Sequence, residues 1–332
     1  MSNKLLVTGG KLREGGYDLG EGKYYGAAKL LQINLDSSSV SEILSVDVGT
    51  GNFPHTHPNL EFTVGDIEGN KLWLAMDTEI RLYSYPDLSL IKTFSHPCFH
   101  NIHSVAVRDD ELYVTSTGLD MAVVLNKENG KIIKYINAEE KPTWHRFSQE
   151  TDYRKYHSTR PHDCHPNYVF WIDDEPWVTR CTQEDAVQLS DNNNRIDISG
   201  PDKVISVHDG IVRGDKVYFT SVDSMIIIAD INTHKIIEEI NITKLKGYGG
   251  LRGWCRGLYV DENILYVGFS RLRKTRRIEK IAWVGKLLNI GKSIEVCSVL
   301  AIDLNKKEIV GDYSLPDDTI DAVYSILPEP AC

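Results

Sequence analysis

This chain lacks most features that would send it to a membrane, an export route or a nucleic acid. No segment reaches 18 apolar residues, and the longest apolar stretches, such as Met225 to Ala229, have the length of buried strands. The six cysteines (Cys98, Cys164, Cys181, Cys255, Cys297 and Cys332) form no Cys-x-x-Cys pair. The opening MSNKLLVTGGKLREGG has neither the apolar core nor the small-residue cleavage site of an export signal. The expectation is a cytosolic protein with reduced thiols rather than a disulfide framework. A net charge of −10 and a pI near 5.6 leave no basic surplus for neutralising phosphates, so no nucleic-acid partner is expected. Gly9-Gly10 and Gly15-Gly16 lack the strand–GxGxxG–helix setting of a nucleotide site. Helix signals are scarce throughout.

What the chain does have is a repeat. A first strand, a charged turn and a second strand recur from His103 to Gly118 (HSVAVRDDELYVTSTG), His165 to Arg180 (HPNYVFWIDDEPWVTR), His208 to Val222 (HDGIVRGDKVYFTSV) and Trp254 to Ser270 (WCRGLYVDENILYVGFS). A weaker copy runs from Glu61 to Asp77 (EFTVGDIEGNKLWLAMD). The second strands begin near Leu72, Leu112, Pro176, Val217 and Leu265, at spacings of 40, 64, 41 and 48 residues. Such periods are those of four-stranded propeller blades. Each pair is followed by two more strands across a polar turn, as in MAVVLNKENG–KIIKYINA and SMIIIADINTH–KIIEEINIT.

The ends complete the count. KLLVTGG, AAKLLQINLD and SVSEILSVD read as the second, third and fourth strands of a blade lacking its first, and DAVYSILP near the C-terminus reads as that missing strand. The expected fold is therefore all-β: one domain over residues 1–332, a six-bladed propeller of four-stranded blades closed by both chain ends in one blade. Closure removes the free sheet edges that invite aggregation. Three insertions break the rhythm, at 8–26, 138–163 and 270–295. The second carries His145, Arg146, Arg154, Lys155, His157, Arg160 and His162, and long loops of this kind often bind ligands. The third carries the basic run Arg271–Arg277 and the one segment with a helical look.

Starts of inner strands surround a propeller's axis. His103, His208 and Arg256 each stand nine residues before their second strand, and His165 stands eleven before. His57 stands fifteen before, where strict register would place Thr63; His55 is a rival for its place, and His162 for that of His165. Imidazoles converging from several blades suit a borderline divalent metal. The expectation is a metal centre held by His57, His103, His165 and His208, with Fe(II) favoured over Zn, Ni or Cu. Arg256 would orient a substrate anion, and Asp321 or Tyr324 would handle a proton.

The phrases HSVAVRDDELYVTSTGLDMAVVLN and GWCRGLYVDENILYVGFS resemble those of poorly characterised bacterial propeller proteins with a histidine-led repeat; this likeness implies fold and no activity. The axial histidines resemble, by convergence, the four-histidine iron site of the larger, seven-bladed carotenoid-cleaving oxygenases. Six-bladed lactonases of the gluconolactonase type use Glu, Asn and Asp around calcium; Asn59 and Asn167 follow His-Pro here, but the histidines depart from that pattern. The resulting expectation is a metal-dependent enzyme, an oxidoreductase or lyase, acting on a small polar or anionic substrate. A metal-free lyase or hydrolase, and a non-enzymatic propeller that binds a protein or peptide, are the alternatives.

Overall fold

Alternating apolar residues in short strands, broken by Asp, Asn and Gly turns, fold into six separate four-stranded antiparallel sheets. The structure, a computed structural model, describes residues 3–199, 206–272 and 296–330. The composite blade takes Ala322–Pro328 as its innermost strand and continues outward through Lys4–Leu12, Tyr25–Asn34 and Ser39–Val46. Its closing pairs include Leu5 with Pro328, Leu6 with Leu327 and Val7 with Ile326. The expected six-bladed propeller, closed by strands from both ends, is the fold observed.

The other blades start inside at Asp66–Glu68, Ile102–Arg108, Pro166–Ile172, Ile211–Arg213 and Cys255–Asp261. Their second strands are Lys71–Ala75, Glu111–Ser116, Glu175–Arg180, Lys216–Ser221 and Ile264–Phe269. Apolar faces of neighbouring blades pack together; between the second and third blades, Trp73, Phe94, Phe99, Leu112 and Val114 form one buried cluster. Burying each such side chain contributes about 1.5–3 kcal/mol. Outer strands alternate instead, leaving Ile91, Ile133, Ile237 and Val310 exposed.

A bulge at the start of the inner strands decides what faces the axis. In the third, fourth and sixth blades the pairs Ile102–Ser116, Pro166–Arg180 and Cys255–Phe269 are each followed by a register shift. In the composite blade the shift falls between Thr8 and Gly9, opposite Tyr324. Bulges of this kind re-aim a side chain and leave an amide without its ladder partner. A threonine hydroxyl accepts that amide: Ser104 N–H donates to Thr115 Oγ1 (2.8 Å), Tyr168 to Thr179 Oγ1 (3.1 Å) and Ser325 to Thr8 Oγ1 (3.0 Å). The sixth blade has Gly268 in this place, because a Cβ there would lie 2.5 Å from the Arg256 carbonyl oxygen. Its freed amide, Gly257 N–H, donates to Asp209 Oδ2 of the fifth blade at 3.0 Å.

From residue 273 to 295 the third insertion lies outside the described residues, and with it the expected helix and most of the basic run that begins at Arg271.

Candidate ligand site on the propeller axis

The hydrogen-bond register places Thr63, His103, Asn167, His208, Arg256 and Tyr324 in equivalent positions, one per blade, next to the axis. Each stands one residue beyond the outermost inner-strand pair or beside the bulge. Asn167, rather than His165, is thus the fourth blade's member. His165 stands two residues earlier with φ of 55°, yet its ring still reaches the site, 4.8 Å from the ring of His103 and nearly perpendicular to it. His57 is exposed on the loop before the second blade, as is His55, and Thr63 takes the axial place.

Three loops interlock over this end of the axis. Arg13 donates to the carbonyls of Tyr25 and Pro58, and Arg154 Nη1 donates to Asn52 Oδ1 at 3.0 Å. Lys155 donates to the Gly51 carbonyl, and Arg160 pairs with Glu21. Gly22, at φ 72°, passes so close to His157 that a Cβ there would lie 1.8 Å from its carbonyl oxygen. The loops around residues 13–25, 50–58 and 138–163 therefore form one cover. Beneath it, His103, His208 and Arg256 are 8%, 7% and 6% exposed.

Arg256 is the centre of the arrangement. Its guanidinium lies 4.2 Å over the ring of Tyr324, and Nη2 is 3.2 Å from His103 Nδ1. The Tyr324 hydroxyl donates to Glu61 Oε2, while Asn59 Nδ2 donates to Glu61 Oε1 at 2.7 Å. Asn167 Nδ2 donates to the Val207 carbonyl at 2.7 Å, which turns Oδ1 toward His103 Nδ1 at 2.5 Å. His103 Nδ1 thus meets a donor, Arg256 Nη2, and an acceptor, Asn167 Oδ1.

Burial sets the charge state of these groups. Burial, then Arg256 and the neighbouring imidazoles, hold His103 well below the ordinary histidine range. Burial first, then His162 and His208, do the same to His165. His162, whose Nδ1 lies 2.7 Å from His165 Nδ1, is pushed down to about 4, mainly by burial. Burial raises Asp209 to about 6, against hydrogen bonds from Thr220 and Gly257 and the attraction of Arg256. The site is thus a buried guanidinium among neutral imidazoles.

The expected metal centre does not form. Among the described residues, no three His, Cys, Asp or Glu side chains are disposed to hold a metal ion. His103 Nδ1 turns to Asn167, His208 Nδ1 to the Ser206 carbonyl at 2.8 Å, and His165 Nδ1 to His162. Such contacts would leave Nε2 for a metal; it is the placing of the rings that fails. His103 and His208 lie nearly parallel, 6.4 Å apart and 18° between planes, rather than aiming nitrogens at a shared point. With the metal go the Fe(II), Zn, Ni or Cu cofactor, the metal-dependent oxidoreductase or lyase, and the likeness to four-histidine oxygenases.

Asp321, expected as a proton carrier, is 3% exposed and bound at the rim. It pairs with Lys11 and Arg271, both at 3.1 Å, and accepts the Leu12 amide at 2.9 Å. Sequence reading missed Glu61, legible only as the first residue of the weakest repeat, and named Asn59 only beside His57 and Pro58. Two open clefts of about 550 and 150 Å³ lie on the flank, one along Glu68, Arg108 and Lys127 and the other along Phe94, His96 and Phe99. Neither includes an axial residue.

No protein-family model and no curated protein matches the chain. Among solved structures it is similar to a protein of unknown function from Bacteroides caccae, at 10% identity and a TM-score of 0.61, with 98% of each chain covered. It also aligns with the computationally designed Ika8 protein at 9% identity and a TM-score of 0.44, covering 92% of this chain and 79% of that one. The first likeness concerns the fold alone. No helix among the described residues is long and apolar enough to cross a membrane.

Proposed function

We propose that the axial site is a metal-free receptor for a small anionic molecule, a carboxylate or a comparable group. One observation carries this reading: the buried Arg256 guanidinium, braced by the Tyr324 ring and flanked by imidazoles that burial keeps neutral. A planar cation in a low-dielectric setting favours an anion that can accept two parallel hydrogen bonds. Neutral imidazoles add hydrogen bonds without repelling or neutralising that anion. His103 Nε2 offers a ligand one hydrogen bond, as donor or acceptor according to the ring's tautomer. In this reading Arg256 binds, Tyr324 positions Arg256, and Asp321 anchors the rim. The five cysteines among the described residues are all free thiols, which supports placing the protein in a reducing compartment.

The test is a thermal-shift and calorimetric screen of small carboxylates, sulfonates and phosphates against the wild type, Arg256→Gln and His103→Gln. A ligand at 100 times its Kd stabilises the fold by about 2.7 kcal/mol, well within reach of a melting curve. Stabilisation by at least one anion, lost in Arg256→Gln, is the expected result. Anion binding that is unchanged in Arg256→Gln, or no anion binding at all, would overturn the proposal.

A further inference from the structure

The members of the cover are fastened very differently. Residues 14–24 leave the composite blade between Leu12 and Tyr25, which pair as strand ends. Their far side meets residues 157–160 of the long loop that enters the fourth blade. Glu21 pairs with Arg160, and His157 Nδ1 donates to the Gly22 carbonyl at 3.3 Å. In a six-membered ring the composite and fourth blades stand opposite each other, so this contact lies over the axial mouth. The long loop is built into the body. Tyr153 lies in the core between the second and third blades, and its amide donates to the Pro97 carbonyl at 2.8 Å. His100 Nε2 donates to the Tyr156 carbonyl at 3.2 Å, and the Thr159 hydroxyl to that of Gly118. Residues 14–24 instead hold a single tight turn, Gly16–Leu19, between Gly15 at φ 63° and Gly20 at φ 88°. A Cβ on either glycine would stand in open space, and Glu14 and Asp18 are exposed.

We infer that residues 14–24 are a strap that swings on Gly15 and Gly20 to open the axial mouth, latched by the Glu21–Arg160 pair. The long loop stays in place. His103, Asn167, His208 and Arg256 are 8%, 1%, 7% and 6% exposed, so a solute reaches them only when the cover parts. A segment with few buried groups and glycines of positive φ at its joints is the part that opens at least cost. The strap stands apart from anion recognition, since it governs the entry of any ligand to this site.

The experiment is labelling of neutral imidazoles by diethyl pyrocarbonate at neutral pH, read residue by residue by peptide mass spectrometry. His55 and His57 are exposed, His103 and His165 lie under the cover, and His100 lies beneath the long loop. In the wild type His103 and His165 should label far more slowly than His55 and His57. Glu21→Gln and Arg160→Gln should each speed them by about two- to fivefold, the weight of a partly exposed ion pair. Arg13 N–H donates to the Tyr24 carbonyl at 3.0 Å, so an Asn-Gly turn can replace residues 14–23. That variant should bring His103 and His165 close to the rate of His55. His100 should stay protected throughout. Wild-type labelling of His103 as fast as that of His55, or rates that the variants leave unchanged, would overturn the strap. So would labelling of His100 in step with His103, because the cover would then open as a whole. If the shortened chain does not fold, the two point variants decide. No ligand takes part, so failure of the strap leaves the anion receptor standing, and failure of anion binding leaves the strap.

Discussion

The carboxylate of Asp120, on the third blade, holds the backbone of His165 on the fourth: Asp120 Oδ1 accepts the amides of His165 and Cys164, each at 3.0 Å. Oδ2 accepts the Asp163 amide and pairs with Arg146, both at 2.9 Å. One buried side chain thus sets the end of the long covering loop and the approach of His165 to the axis.

Asp120→Asn should cost about 2–3 kcal/mol in urea denaturation, because charge-assisted bonds to several donors become weaker neutral ones. Asp120 has φ of 55°, a conformation asparagine also tolerates, so the loss reports the hydrogen bonds rather than the backbone. Asp120→Ala should cost more. Equal stability of the wild type and Asp120→Asn would refute this role.

The threonines under the bulges give a second set of variants. Thr115→Val and Thr179→Val keep shape but leave the amides of Ser104 and Tyr168 without their acceptor. Each should cost about 1–3 kcal/mol, the penalty for a buried unpaired donor. Gly268→Ala should be worse than either, since its Cβ would also lie 2.5 Å from Val323 Cγ1. Denaturant midpoints that rank the three the other way would contradict the bulge account.

Titration of the imidazoles can be read directly. Burial pushes both His100 and His162 down to about 4, and His103 and His165 are also held low, so their ring resonances in NMR should stay in the neutral form from pH 8 to pH 5. Folded values below the unfolded one mean that the unfolded chain takes up protons first, so stability falls as pH drops through about 6.5. Asp66 and Asp209, raised by burial to about 6, and Asp77, held by burial well above the ordinary carboxylate range, act oppositely: their contribution is present at low pH and lost as pH rises through the folded value. A ring resonance of His100, His103, His162 or His165 that titrates between pH 8 and pH 5 would show that imidazole to be charged in the fold.

Chelation is the fourth check. Because no three His, Cys, Asp or Glu side chains among the described residues are disposed to hold a metal ion, prolonged EDTA treatment should leave the melting temperature unchanged. A fall of several degrees, reversed by one added transition metal, would restore the metal centre.

The six blades were legible because strand period and turn chemistry are local: each hairpin announces itself within about fifteen residues, and the KLLVTGG and DAVYSILP segments fit only as parts of one shared blade. His103, His208 and Arg256 were legible as axial for the same reason, a constant nine-residue offset. The same offset marks the fourth blade's member, because Asn167 stands nine residues before Pro176 and His165 eleven; the histidine was preferred for its chemistry, against the register that the shared bulge enforces.

By itself, then, the sequence determined the propeller, its closure and the identity of most side chains near the axis, since these follow from periodicity along the chain. Only the tertiary structure decided what those side chains do together. Ring orientation comes from partners such as Asn167 and Val207, some forty residues apart. The neutral state of the imidazoles comes from burial under a cover of three distant loops, and the brace on Arg256 from Tyr324, whose hydroxyl finds Glu61 across the closed ring. Hydrogen-bond direction and desolvation depend on neighbours in space, and local pattern carries neither.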